Sequence, residues 1–228
     1  RNAISTGHIL TLEDPIEFLF RNKKSIVNQR EIGNDASDLT VALKNALRQA
    51  PDCILIGEIR DKETMSAALA YAQSGHLVVA TLHANNSYQA LTRVINFYPI
   101  ENRQSLLADL SSSLRAIVSQ RLVSAIDGKR RAAVEVMLNT RHIAELIEQG
   151  EIALIKEAIE KSLSPGSQTF EQALMQLIKD GIVTQDEALA HADSASNLFW
   201  LLNNSAQTVQ EEAPEQEEAS FTEFTLKM

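Results

Sequence analysis

A single cysteine stands among the 228 residues, so neither an intrachain disulfide nor a cysteine zinc site can be built from this chain alone. Cys53 falls in a short apolar run and is expected to be a small buried hydrophobe. No apolar stretch approaches the roughly 18 residues that span a bilayer, and no signal-peptide pattern opens the chain, so a cytosolic protein is expected. Positive charge is short as well. Lys and Arg number 21 against 30 Asp and Glu, a net −9, and aromatics make up 5%. The isoelectric point is near 5.1, and no basic stripe interleaved with aromatics exists, which argues against nucleic-acid binding. Lys129-Arg130-Arg131 reads as a solvated hairpin turn.

What the chain does have is 44% hydrophobic residues, enough for a sizeable core in one or two domains. The coarse pattern alternates strand and helix: strands at His8–Glu13, Ser25–Gln29, Cys53–Gly57 and Leu77–Leu82, helices at Leu39–Gln49, Lys62–Gln73, Ser87–Asn96 and Arg103–Val118. Such alternation predicts right-handed βαβ crossovers and a parallel sheet with helices on both faces. A hairpin follows, Arg121–Ile126 and Arg130–Met137 around Asp127-Gly128. From Thr140 only helical patterns remain, with Thr184 starting one of them through a capping box to Glu187. Residues 205–228 carry −5 of the net charge, six Glu against Lys227. A stretch of this composition, from about 205 to 220, is expected to be disordered. The closing Phe221-Thr-Glu-Phe224-Thr-Leu226 could dock on a partner or on the body, or remain an untethered terminus.

Acidic residues end two of the apolar strands. Thr11-Leu-Glu-Asp-Pro-Ile-Glu17 and Ile54-Leu-Ile-Gly-Glu58 both place carboxylates at strand exits, the edge where open α/β sheets bind ligands. Glu58 must be paired, hydrated or near a metal, because a bare buried carboxylate costs several kcal/mol. The ordinary alternative is a strand end paired with Arg60. Glu17 lies beyond Pro15 and can project into the cleft as a base for an attacking water, although a lone Glu at such an exit is usually solvated. His76 and His83 flank one strand at an odd spacing and face opposite ways, so they do not form a metal pair. His83, at the carboxyl end, can reach the cleft of Glu58; His76, at the opposite end, is expected to reach a subunit boundary.

Together these segments resemble the ATPase family that powers type IV pili and type II secretion. Ile9-Leu-Thr-Leu-Glu-Asp-Pro-Ile-Glu17 is similar to its Asp box, Ile54-Leu-Ile-Gly-Glu58-Ile-Arg-Asp61 to its atypical Walker B, and Gly75-His76-Leu-Val-Val-Ala-Thr-Leu-His83 to its His box. Val27-Asn-Gln-Arg-Glu31 and Ala46-Leu-Arg-Gln-Ala-Pro-Asp52 extend the resemblance over about His8 to Asp193. It is to the PilT/PilU retraction branch, and Thr81-Leu-His-Ala-Asn-Asn86 and Gly128–Met137 look more like PilU. The resemblance implies a RecA-like P-loop NTPase core over residues 1–139, a helical subdomain over 140–204 and an acidic tail over 205–228. It also implies ATP and Mg²⁺, a homohexamer with nucleotide at subunit boundaries, a PilT-type partner ATPase, and a cytoplasmic site against the inner-membrane pilus platform. Glu17 would be the general base, Glu58 the acid acting on Mg²⁺ directly or through water, and His83 the γ-phosphate sensor. Glu13, Asp14, Arg60, His76 and Thr81 would line the nucleotide site.

The chain departs from the family pattern in lacking Gly-x-x-x-x-Gly-Lys-[Ser/Thr], the loop whose amides and lysine cradle phosphates. The expectation is a motor's carboxyl half, cut before the Asp box, that binds ATP poorly and is weakly stable alone. Arg141-His-Ile-Ala-Glu-Leu-Ile-Glu148 is less basic than its PilT counterpart and favours an accessory role. Two alternatives remain: a non-catalytic module docking on a partner motor, and a related type II secretion ATPase, although a four-cysteine zinc module of the extension and secretion motors is excluded.

Overall fold

The computed structural model describes residues 1–208. Its contacts define two compact units, one of Arg1–Leu122 with Ala132–Thr169, the other of Val123–Arg131 with the chain from Phe170 onward.

The first unit is built on four parallel strands, β1 (Gly7–Glu13), β2 (Ser25–Glu31), β3 (Cys53–Ile56) and β4 (Leu77–Ala80), in the order β2-β1-β3-β4. Leu10 lies beside Ile54 and Ile54 beside Val78, with Leu12, Ile56 and Ala80 in register two residues on. These positions share one face, since side chains alternate along a strand. Leu10, Leu12, Ile54 and Ile56 are all at most 1% exposed, each contributing about 1.5–3 kcal/mol of burial. Cys53 is buried, as a small hydrophobe.

The connecting helices are α1 (Leu39–Ala46), α2 (Lys62–Gln73), α3 (Ser87–Asn96) and α4 (Arg103–Ser113). Asp61 starts α2 by accepting from Thr64 N at 2.8 Å. Among the described residues no helix covers the face of β4 that carries Leu77 and Val79, which are 45% and 43% exposed. The helix expected through Val118 stops at Ser113. Three serines compete for local backbone hydrogen bonds there, and the β-branched Ile117 and Val118 suit the strand that follows.

That strand, β5 (Ala116–Ser124), pairs with β6 (Arg130–Leu138). Gly128 takes φ +76° in the turn, and Asp127 accepts from Lys129 N at 3.0 Å and from Arg131 Nη2 at 2.9 Å. The amide of Lys129 and the Arg131 charge hold the Asp127 carboxyl below its usual range.

The contacts do not divide the chain at residue 140, where the sequence suggested a boundary. Helices α5 (Arg141–Gln149) and α6 (Ile155–Glu160) belong to the first unit. Ile143, Leu146 and Ile147 of α5 share one hydrophobic cluster with Leu106 and Leu110 of α4 and with the sheet core. The amphipathic face of α5 therefore completes the first core and does not start another.

In the second unit α7 (Phe170–Lys179), α8 (Gln185–His191) and α9 (Ala195–Thr208) bury Phe170, Leu174, Ala188 and Leu198, each 0% exposed. Thr184 caps α8 as its capping box suggested, accepting from Glu187 N at 3.3 Å. The acidic stretch beyond Thr208 and the Phe221–Leu226 segment lie outside the described residues.

Candidate active site

The site sits where β1 and β3 leave the sheet at their carboxyl ends. Gly57 N donates to Leu12 O at 2.8 Å, continuing the ladder past the strand. A Cβ at position 57 would lie 3.1 Å from Leu12 O and 3.3 Å from Glu13 Cα, so glycine is required for the two exits to come this close. Thr81 donates its hydroxyl to Gly57 O, and Ile59 N donates to Thr81 O at 2.9 Å. Three strand ends are thereby bound together, and Glu58 is carried on the middle one.

Glu58, with its side chain 17% exposed, meets two partners. Arg60 Nε donates to its Oε2 at 2.5 Å, and His83 Nε2 lies 3.4 Å from its Oε1. Arg60 Nη1 reaches Asp14 Oδ2 at 3.3 Å. The result is a chain of groups, Asp14, Arg60, Glu58 and His83, drawn from three strand exits. The hydrogen bond to Glu58 holds the Arg60 guanidinium even more firmly protonated than usual. Arg60, Asp14 and His83 side chains are 59%, 56% and 81% exposed, so solvent screens these contacts and they add little to stability. The ordinary reading of Glu58, paired with Arg60, is thus present, with His83 beside the other carboxylate oxygen.

The other expected residues are placed as follows. Glu13 Oε1 accepts from Thr11 Oγ1 at 2.5 Å and from Gln29 Nε2 at 2.9 Å, which occupies it in holding β1 to β2. Glu17 is exposed and has no hydrogen bond or ion pair among the described residues, including none to Glu58. The Thr81 hydroxyl is spent on Gly57. His76 precedes β4, at the edge opposite Glu58, with Nδ1 3.0 Å from Ser74 Oγ and its ring edge-on to Tyr71. Within one chain it is not brought to the site.

Sequence reading gave no role to Gln29 and Glu31, which shape the loop of Glu17. Gln29 Oε1 accepts from Phe20 N at 2.7 Å and its Nε2 donates to Phe18 O at 2.8 Å, while Glu31 Oε2 accepts from Ile16 N at 3.1 Å. The signal was the alternation Val27, Gln29, Glu31, which puts both polar side chains on one face of β2.

Among the described residues no group of three or more His, Cys, Asp or Glu could enclose a metal ion. Mg²⁺ needs no such cage: it retains waters and takes one or two carboxylates along with phosphate oxygens. Both Glu58 oxygens already have partners, so a water-mediated contact fits without disrupting them, and Asp14 offers a second, exposed carboxylate.

A sequence model of the family described as type II/IV secretion system protein matches residues 3–151, and the chain belongs to that family. Its similarity is greater to PilU than to PilT. It is 53% identical over 203 residues to the type IV pilus ATPase PilU of Pseudomonas aeruginosa, covering 89% of this chain and 53% of that protein. Against the type IV pilus retraction ATPase PilT of the same organism the identity is 41% over 196 residues, covering 86% and 57%. A crystal structure of the pilus retraction motor PilT with bound ADP superposes with a TM-score of 0.78 at 38% identity, covering 85% of this chain and 55% of that one. The RecA-like α/β class is thereby established, and the chain spans about half the length of the relatives it matches. No helix among the described residues is long and apolar enough to cross a membrane.

Proposed function

We propose that the chain carries the reacting edge of an ATP-hydrolysing motor for type IV pilus retraction, acting in a PilU-like, accessory role. The observation that supports this most is the run Asp14–Arg60–Glu58–His83 across the carboxyl edge of a parallel sheet. Phosphoryl transfer asks mainly for positioning and charge stabilisation, and this edge supplies both. Glu17, solvated and unpaired, orients water and takes its proton as oxygen attacks the γ-phosphorus and ADP departs. Glu58, through water or directly, and Asp14 would hold Mg²⁺, which neutralises phosphate charge. His83 donates to the γ-phosphate, and Arg60 keeps Glu58 aimed. Glu13 and Thr81 act by holding the strand exits at the nucleotide site. His76, on the far edge, serves a neighbouring copy's boundary in a homohexamer. The whole works on the cytoplasmic side of the inner membrane with a PilT-type ATPase and the pilus platform protein.

The test compares Mg·ATP turnover by this chain and by the chain extended upstream through a phosphate loop and an amino-terminal domain. The extended protein is expected to turn over ATP, and Glu17→Gln to lower kcat by about 10²–10⁴-fold without moving the thermal transition. Turnover indifferent to that change removes Glu17 as the base. If neither form hydrolyses ATP, the non-catalytic docking module replaces the motor reading.

A further inference from the structure

The segment that carries His83 runs from the sheet edge into α3, and side chains from three elements hold its backbone. Arg93, on α3, donates from Nη1 to His83 O at 2.9 Å. Arg121, on β5, donates from Nη2 to Asn85 O at 3.2 Å. Glu135, on β6, accepts from Ser87 N at 2.7 Å. Asn86 adds the helix cap, accepting from Gln89 N at 2.9 Å. The His83 ring itself is 81% exposed and touches Glu58 only at 3.4 Å. With so little packing of its own, the ring takes its position from the backbone it hangs on.

Glu135 is the unusual member. It is 2% exposed, on the same face of β6 as Ala133 and Met137, which are 1% and 0% exposed. A third apolar residue would suit that face for packing alone, since a buried carboxylate is costly unless its charged form is well hydrogen-bonded. Its oxygen meets the first amide of α3, where the unpaired N–H groups and the helix dipole favour a negative charge.

We infer that Glu135, together with Arg121 and Arg93, is a positioning residue that fixes the His83–Ser87 backbone and so sets the His83 ring against Glu58 and the nucleotide. This rests on the role proposed above for His83. A reacting group needs its geometry held to a fraction of an ångström, and a displacement of about 1 Å can cost about 10²-fold in rate. Glu135 acts from the hairpin, at a distance from the reacting atoms, and the hairpin thereby becomes part of the catalytic apparatus.

The experiment uses the ATPase-competent protein extended upstream. Glu135→Ala removes the acceptor, and Glu135→Gln retains an oxygen in the same place. Glu135→Ala is expected to lower kcat by roughly tenfold to 10²-fold with KM for ATP nearly unchanged, and Glu135→Gln to restore most of the rate. On a His83→Ala background Glu135→Ala should cost nothing further; losses that multiply overturn the inference. Arg93→Ala, at an exposed position, repeats the readout should Glu135→Ala fail to fold. Amide exchange at Ser87 and the NMR resonances of the His83 ring need no turnover: loss of protection and a shifted ring in Glu135→Ala, reversed in Glu135→Gln, support the clamp, and their constancy overturns it. If His83→Ala leaves turnover intact, the role proposed for His83 fails, and these two measurements still decide the clamp.

Discussion

Glu58 is held by Arg60 at 2.5 Å and approached by His83 at 3.4 Å, so its charge has both a structural partner and a direction. Glu58→Gln keeps the shape and removes the charge. With Arg60 exposed, urea unfolding should change by less than about 1 kcal/mol, while ATP turnover of the extended protein should fall by about 10²-fold or more. A large change in both would mark Glu58 as structural. Glu187 illustrates a purely structural carboxylate. The amide of Ser124, at 2.7 Å, is the leading cause that lowers its pKa, and His191 lies 3.2 Å away. Because the folded value lies below the unfolded one, near 4.3, its contribution is complete above that pH and disappears as pH falls through the folded value. The Tm difference between the wild type and Glu187→Gln should therefore be largest near neutral pH and should close under acid conditions. A difference independent of pH would contradict the assignment.

At the level of elements, the strand exits depend on close approach. Gly57→Ala places a Cβ 3.1 Å from Leu12 O, and the backbone there can yield only by separating β1 from β3. The expected cost is about 1–3 kcal/mol, seen in denaturant midpoints, together with a loss of turnover because Glu58 moves with the strand end. In β3 itself, Ile54→Ala empties a site that is 0% exposed and should cost about 2–5 kcal/mol, whereas Thr184→Ala removes only a cap from α8, about 1 kcal/mol. The elements themselves were largely legible: α2 and α3 run over the residues their pattern suggested, and α8 begins at the Thr184 cap. The ending of α4 at Ser113 was not, since the apolar residues beyond it fit a helix or a strand until the hairpin partner is known.

At the scale of the whole chain, the hydrophobic cluster joins α4, α5 and the sheet. A chain ending at residue 139 loses Ile143, Leu146 and Ile147 from that cluster and should lack a cooperative thermal transition, whereas one ending at Thr169 keeps the first unit's residues together. Scanning calorimetry on the two would decide it, and equal cooperativity would refute the placement of α5.

The sequence by itself determined the parallel α/β core, the acidic strand exits and the family, because period, strand-end charge and ordered short motifs are local properties that survive without coordinates. Tertiary structure alone decided that Asp14 joins Arg60, and that Arg60 and His83 meet Glu58 at the same time, one on each carboxylate oxygen. It alone decided that Glu13 and Thr81 are engaged in binding strands together, and that Glu135 reaches Ser87 across 48 positions of sequence. Those outcomes follow from register and crossover, which bring together residues whose separation along the chain carries no signal of their contact.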